Sequence, residues 1–134
     1  MHPGRAGTWG PLLVGIFGLG LIIGGVFVTD PDLGFPPGVP PAKDPSWQSM
    51  VHNIGPGVAF DALLLACLVL MRRFIGLHQR FWMAYCAATA VALLVLGWWP
   101  STAGISVRLA VAIVVAFGWV TALAARLIRE RSAR

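Results

Sequence analysis

Charge is scarce in this sequence. Only 11% of its 134 residues are charged, with five acidic and ten basic side chains, whereas soluble domains carry about 25%. Hydrophobic residues make up 57% of the chain, and its mean hydropathy is +0.79. Because so few polar side chains cannot cover a water-exposed surface, the composition excludes an ordinary soluble domain and indicates a membrane protein.

Motifs of soluble enzymes are also missing. The sequence has no Gly-rich phosphate loop, no Gly-x-Ser-x-Gly elbow and no His-Glu-x-x-His helix, which excludes the chemistries that depend on them. Its two cysteines, Cys67 and Cys86, lie in apolar runs without a Cys-x-x-Cys pair, so neither a disulfide framework nor a zinc site is expected. We predict no cofactor, and the sequence leaves enzymatic activity open.

The net charge of +5 comes mostly from basic residues at the ends of apolar runs. A nucleic-acid surface would instead interleave basic residues with aromatic residues along one face. Basic residues at span ends are typical of contact with anionic lipid head groups. The partner predicted from charge is therefore a lipid bilayer and not a nucleic acid.

Four apolar segments are long enough to cross about 30 Å of hydrocarbon at about 1.5 Å per helical residue. They cover residues 11–28, 50–71, 81–99 and 103–125, with a Pro-rich loop at 29–48 and a basic tail at 126–134. The sequence therefore predicts an all-α fold, a polytopic membrane helix bundle with four transmembrane helices in a single membrane domain, 1–134. Within the loop, the proline-rich segment 35–41 is expected to be stiff and extended.

Small residues recur at four-residue spacing on three of the spans. Such stripes let helices approach closely in lipid, so they indicate helix contacts. The stripes are Gly20 with Gly24, Ala84 with Ala88 and Ala92, and Ala112 with Ala116.

The distribution of arginine predicts the orientation. Arg5 precedes the first span, Arg72, Arg73 and Arg80 lie between the second and third spans, and four further arginines lie in the tail. Since Lys and Arg near span ends stay in the cytoplasm, both termini are predicted to be cytoplasmic and the loop 29–48 extracytoplasmic. The predicted location is the cell membrane, crossed several times.

One acidic residue interrupts the second span. Asp61 lies eleven residues before Arg72, which is roughly 16 Å along a helix and close to the middle of the membrane. A carboxylate there costs at least a few kcal/mol, so it should be paired, protonated or in contact with a wet cavity. It is either a proton-carrying or substrate-binding group, or a protonated side chain that bonds a neighbouring helix.

A histidine opens the same span. His52 precedes Asp61 by nine residues, so on an unbroken helix the two lie on opposite faces. Pro56, between Gly55 and Gly57, predicts a break that would border a cavity. His52 is then either a ligand or general base, or an interfacial histidine that meets lipid head groups.

Two further charged residues lie at the same end of the spans. Asp30 follows the first span and Arg108 opens the fourth, and we expect them to form an ion pair that either fixes the loop or leaves Arg108 to hold a phosphate or carboxylate. Asp30, Asp32 and His52 also resemble a metal ligand set, but they offer too few ligands for a metal to be predicted.

The residues around the loop resemble a known family. They read GVFVTDP at 25–31, LGFPPG at 33–38 and SW at 46–47, followed by His52. This order resembles the domain of unknown function 998 family, polytopic membrane proteins of bacteria with no established activity. The resemblance implies a bacterial inner-membrane protein.

The chain departs from the family pattern at two points. Members usually have six spans, and this chain resembles the last four, so two N-terminal spans are expected to be missing. It has Trp47-Gln48-Ser49 where many members have Trp-His-Gly, which argues against a role that needs a second histidine.

Three functions follow from these features. The first is an extracytoplasmic polar cluster of Asp30, His52, Asp61 and Arg108 that binds an amphiphilic or lipid-like ligand. The second is a small proton-coupled transporter that uses Asp61. The third is a structural or assembly subunit of a membrane complex, including a homo-oligomer, whose small-residue stripes bind another membrane protein.

Overall fold

The computed structural model describes residues 5–133, with side chains from Gly7 onward. This part of the chain is all-α and contains four helices: α1 (Arg5–Val26), α2 (Trp47–Gly76), α3 (Arg80–Trp98) and α4 (Ile105–Ser132). All four are long and apolar enough to cross a membrane, which confirms the predicted fold class. Arg134 of the predicted tail and the side chain of Arg5 lie outside the described part.

Three helices extend well beyond the predicted spans, and α1 does so by beginning at Arg5. α2 begins at Trp47 and ends at Gly76, and α4 continues through most of the predicted tail to Ser132. The tail sequence is rich in Arg, Leu, Ile and Glu, which are acceptable in a helix, and it contains no Gly or Pro before that point. Basic residues at the end of α4 are therefore carried on helical turns.

Contacts divide the chain into two compact units. One consists of Pro11–Leu63, which holds most of α1, the loop and the first half of α2. The other consists of the described residues up to Gly10 together with those from Leu64 onward, including α3 and α4.

Glycines bring α1 and α2 together in the first unit. A Cβ atom added to Gly20 would lie 2.5 Å from the carbonyl oxygen of Gly55 and 2.8 Å from the Cβ of Ala59. One added to Gly24 would lie 2.5 Å from the Cγ of Pro56. No side chain fits at these points, so the predicted contact role of Gly20 and Gly24 is confirmed.

The predicted helix break at Pro56 does not occur. α2 is continuous from Trp47 to Gly76 with Pro56 inside it. Proline removes one N–H donor from the helix, and here its ring packs against the open backbone at Gly24. Neighbouring helices allow membrane helices to retain an internal proline in this way.

The proline-rich loop turns twice and is not extended. Asp32 and Phe35 exchange two backbone hydrogen bonds of 3.0 Å around Leu33 and Gly34, which have φ values of 52° and 81°. Positive φ at both central residues is the pattern of a type I′ turn. Gly38, with φ of 82°, sits in a second turn that is closed by a bond from the N–H of Val39 to the carbonyl of Pro36. The glycines between the prolines override the extended preference.

In the second unit, α3 packs against α4. The buried residues of α4 are Ala112, Ala116 and Trp119, so the small-residue stripe predicted there is confirmed as a contact. In the stripe predicted on α3, Ala84 and Ala88 are exposed, so a contact there stays a prediction. The face that α3 buries is instead made of Cys86, Thr89, Ala90 and Leu93.

Candidate functional site

A histidine joins the loop-side ends of α1 and α2. The Nδ1 atom of His52 lies 2.8 Å from the carbonyl oxygen of Phe27, the residue that follows α1. Because a carbonyl oxygen only accepts, Nδ1 carries the proton and donates it. The bond satisfies one of the carbonyl groups that a helix leaves free at its C-terminus. The Nε2 atom of the half-buried ring has no partner among the described residues.

A carboxylate from the loop holds the start of α2. One oxygen of Asp30 accepts the backbone N–H of Ser46, and the other accepts the Ser46 hydroxyl at 2.9 Å. Ser46 immediately precedes α2, and its hydroxyl oxygen accepts the backbone N–H of Ser49 at 3.2 Å. Ser46 is thus the N-cap residue, and the negative charge of Asp30 lies where the helix dipole favours an anion.

Further polar and aromatic contacts lie at the loop-side end of the first unit. The buried hydroxyl of Ser49 accepts the backbone N–H of Asp30 at 3.2 Å and lies 3.4 Å from the hydroxyl of Thr29. The rings of Phe27 and Trp47 meet edge to face with their centroids 5.7 Å apart. These contacts and the two helix-end bonds fix the geometry around His52.

An apolar groove of about 200 Å³ lies between α1 and α2. Glycine and aliphatic side chains line it: Ile16, Leu19, Gly20, Ile23, Val51, Ile54, Gly55 and Val58. Pockets for drug-sized ligands are usually about 300–1,000 Å³, so the groove suits a single hydrocarbon chain better than a bulky ring system. Val51 and Ile23 line the groove. His52 follows Val51, and its bond partner Phe27 lies one helical turn beyond Ile23, so the bond lies at the loop-side end of the groove.

Asp61 lies apart from this site. Its side chain is exposed, and it forms no hydrogen bond or ion pair with any described residue. Since α2 is continuous, nine residues of helix place Asp61 about 180° around the axis from His52.

Arg108, in the second unit, covers the end of α3. Its guanidinium donates to the carbonyl oxygens of Trp99 at 3.4 Å and Ser101 at 2.5 Å. Both carbonyls follow the last residue of α3, Trp98. A cation is favourable at this position because the C-terminus of a helix carries partial negative charge.

The ion pair predicted between Asp30 and Arg108 joins residues of two different units and stays a prediction. Asp30 bonds Ser46 in the first unit, and Arg108 donates to the carbonyls after α3 in the second. The alternative metal site also lacks support, because the described residues contain no group of three or more metal-ligating side chains. Asp30 and His52 both lie at the loop-side end of the first unit, where Asp30 bonds Ser46 and His52 bonds Phe27.

A known protein family matches most of the chain. The model of the family described as Protein of unknown function (DUF998) matches residues 1–126. The chain belongs to this family. With its four apolar helices, it is an integral, multi-pass membrane protein. No curated protein and no solved structure matches it significantly.

The sequence prediction missed the contacts of Arg126 in this DUF998 protein and placed the residue only in a basic tail. Its guanidinium lies over the rings of Phe74 and Trp82, 4.7 and 4.8 Å from their centroids, and donates to Glu130 at 2.8 Å. It also donates to the side-chain oxygen of Gln79. Cation–π contact and an i,i+4 pair stabilise such an arrangement. Glu130, four residues after Arg126, was the signal available in the sequence.

Proposed function

We propose that this DUF998 protein binds an amphiphile of the membrane, such as a lipid, in the unit formed by Pro11–Leu63. The observation that carries the proposal is the position of His52 at the end of an apolar groove. Hydrocarbon of the ligand lies in the groove, and its polar head lies beside the ring. Asp30 supports the site indirectly by fixing the start of α2.

The chemistry of the ring suits a lipid head group. Because Nδ1 is committed to the carbonyl of Phe27, only Nε2 is available to a ligand. A neutral ring presents a hydrogen-bond acceptor there, which matches a hydroxyl or ammonium group, and a charged ring presents a donor, which matches a phosphate. The bond to Phe27 also fixes the ring orientation before a ligand arrives.

The groove supplies shape and not a hydrophobic driving force. Hydrocarbon in the groove and hydrocarbon in the bilayer are equally apolar, so selection must come from packing and from the polar head. We also place the loop on the extracytoplasmic side of the cell membrane, since the arginines between α2 and α3 and those at the end of α4 suit the cytoplasmic side. The ligand then enters from the outer leaflet.

Filling the groove tests the proposal. Leu19 lines the groove, whereas Ile22 lies on the same helix, is similarly exposed and does not line it. The protein is reconstituted in phosphatidylethanolamine and phosphatidylglycerol vesicles that contain a phospholipid with a photoreactive acyl chain. Labelling of α1 and α2 is read by peptide mass spectrometry. We expect Leu19→Trp to reduce labelling of the groove residues by about tenfold, equivalent to 1.4 kcal/mol, and Ile22→Trp to leave it unchanged.

Two substitutions at His52 separate the ligand contact from the helix contact. Asn places a donor near the position of Nδ1 and has no atom at Nε2, whereas Gln reaches the Nε2 position and gives up the bond to Phe27. Loss of one polar contact corresponds to about two- to tenfold weaker binding. We expect His52→Asn to weaken lipid retention while helix stability is kept, and His52→Gln to lower stability. Equal labelling of the groove in the wild type, Leu19→Trp and His52→Asn would refute the proposal.

A further inference from the structure

One face of α2 is exposed along its length. Its exposed residues follow one another at alternating spacings of four and three: Ile54, Val58, Asp61, Leu65, Leu68, Arg72 and Ile75. This is the heptad pattern that forms the contact line of a left-handed coiled coil. The opposite face of the helix is buried, with Ala59, Phe60, Ala62, Leu63, Ala66, Cys67, Leu70 and Phe74.

Asp61 is the third of the seven residues on this line and lies at the midpoint of the 30-residue helix. The residues on either side along the line, Val58 and Leu65, are apolar and 49% and 51% exposed. Asp61 has no partner among the described residues. An acidic side chain that faces lipid at mid-membrane has a high free-energy cost. A second molecule that hydrogen-bonds to its carboxyl group would lower this cost.

We propose that a second copy of this chain covers this face and that α2 pairs with α2 in a parallel dimer. Copies that insert in the same direction place Asp61 at the same depth on both chains. The two carboxyl groups then hydrogen-bond to each other across a two-fold axis along the membrane normal, sharing a proton between them. Leu65 and Leu68 pack against their counterparts on the cytoplasmic side of that pair.

The α2 helix of a second copy is complementary to this face. The partner has to present a hydrogen-bonding group at the depth of Asp61, with aliphatic side chains at heptad spacing on either side. The α2 helix of another copy offers this arrangement, and one polar residue in an apolar contact line fixes the register of paired helices. Polar side chains that meet between membrane helices also stabilise their association.

The contact is separate from the lipid groove for most of its length. Ile54 and Val58 line both, whereas Asp61, Leu65 and Leu68 do not line the groove. The inference therefore goes beyond the proposed lipid binding and does not depend on it.

Variants at Asp61 test the pairing. The monomer–dimer equilibrium of the full chain is measured in phosphatidylethanolamine and phosphatidylglycerol vesicles by energy transfer between labelled copies at increasing protein-to-lipid ratio. An interhelical polar contact contributes about 0.6–2 kcal/mol in membranes, so Asp61→Leu should weaken the dimer by about three- to thirtyfold. Asp61→Asn, whose amide also pairs with itself, should stay close to the wild type.

Cysteine cross-linking provides a readout of geometry. Leu65→Cys places a thiol on the proposed line, and Val91→Cys places one at an exposed position near the middle of α3. The native Cys67 and Cys86 are buried and serve as the background. Oxidation in vesicles should link Leu65→Cys into dimers and leave Val91→Cys monomeric. A wild-type chain that is monomeric at all protein-to-lipid ratios, equal dimerisation of Asp61→Leu and the wild type, or equal cross-linking at both positions would overturn the proposal.

Discussion

The contact between α1 and α2 gives a quantitative prediction for Gly20. In Gly20→Ala, the new Cβ would lie 2.5 Å from the carbonyl oxygen of Gly55 and 2.8 Å from the Cβ of Ala59. The nearest atom belongs to the backbone and cannot rotate away, so the helices must separate. Overpacking of this kind costs about 1–3 kcal/mol. The glycine's own cost in a helix, about 0.5–1 kcal/mol relative to Ala, acts in the opposite direction.

Gly18→Ala is the matched control, because a Cβ at Gly18 has no atom within 4 Å. Both substitutions bring the same gain in helix propensity, so the difference between them isolates the packing term. The free energy of unfolding is measured in mixed micelles by titration with sodium dodecyl sulfate, with helix content as the signal. We expect Gly20→Ala to be about 1–3 kcal/mol less stable than Gly18→Ala. Equal stability of the two variants would show that α1 and α2 do not approach as closely as described.

Two further predictions concern the loop and the orientation. Asp30→Ala removes the carboxylate that holds the N-cap of α2, so the free energy of unfolding in the same assay should fall by about 0.5–2 kcal/mol. Asp44 is an exposed loop residue with no described partner, so Asp44→Ala should have no effect. Equal free energies for the two variants would contradict the capping role. Reporter fusions at Arg72 and after Arg131 should both report the cytoplasm, and opposite sides would refute the proposed orientation.

The sequence was sufficient to predict the four membrane helices. Long apolar segments bounded by arginine and tryptophan leave few alternatives when the mean hydropathy is +0.79. The stripe of Gly20 and Gly24 was also readable, since only small residues allow helix backbones to approach so closely. These features depend on local composition and spacing, which a single sequence displays directly.

Contacts of the polar residues were harder to predict. The sequence predicted a pair between Asp30 and Arg108 from their charges and their place at the same end of the spans. Within its own unit, Asp30 bonds Ser46, whose N-cap position depends on where α2 begins. The break expected at Pro56 failed for a related reason. Whether a proline interrupts a helix depends on what packs around it, here the open backbone of Gly24, and no local pattern reveals that neighbour.

Most of the polar residues predicted for the site form hydrogen bonds at helix ends. Each helix leaves backbone N–H or C=O groups without intrahelical partners, and hydrocarbon offers no water to satisfy them. Asp30 serves the start of α2 through Ser46, His52 serves the end of α1, and Arg108 serves the end of α3. Asp61, in the middle of α2, has no helix end to satisfy and no described partner. A charged side chain at mid-membrane is stabilised when it contacts a polar group of another molecule. Asp61 therefore indicates a contact outside the single copy.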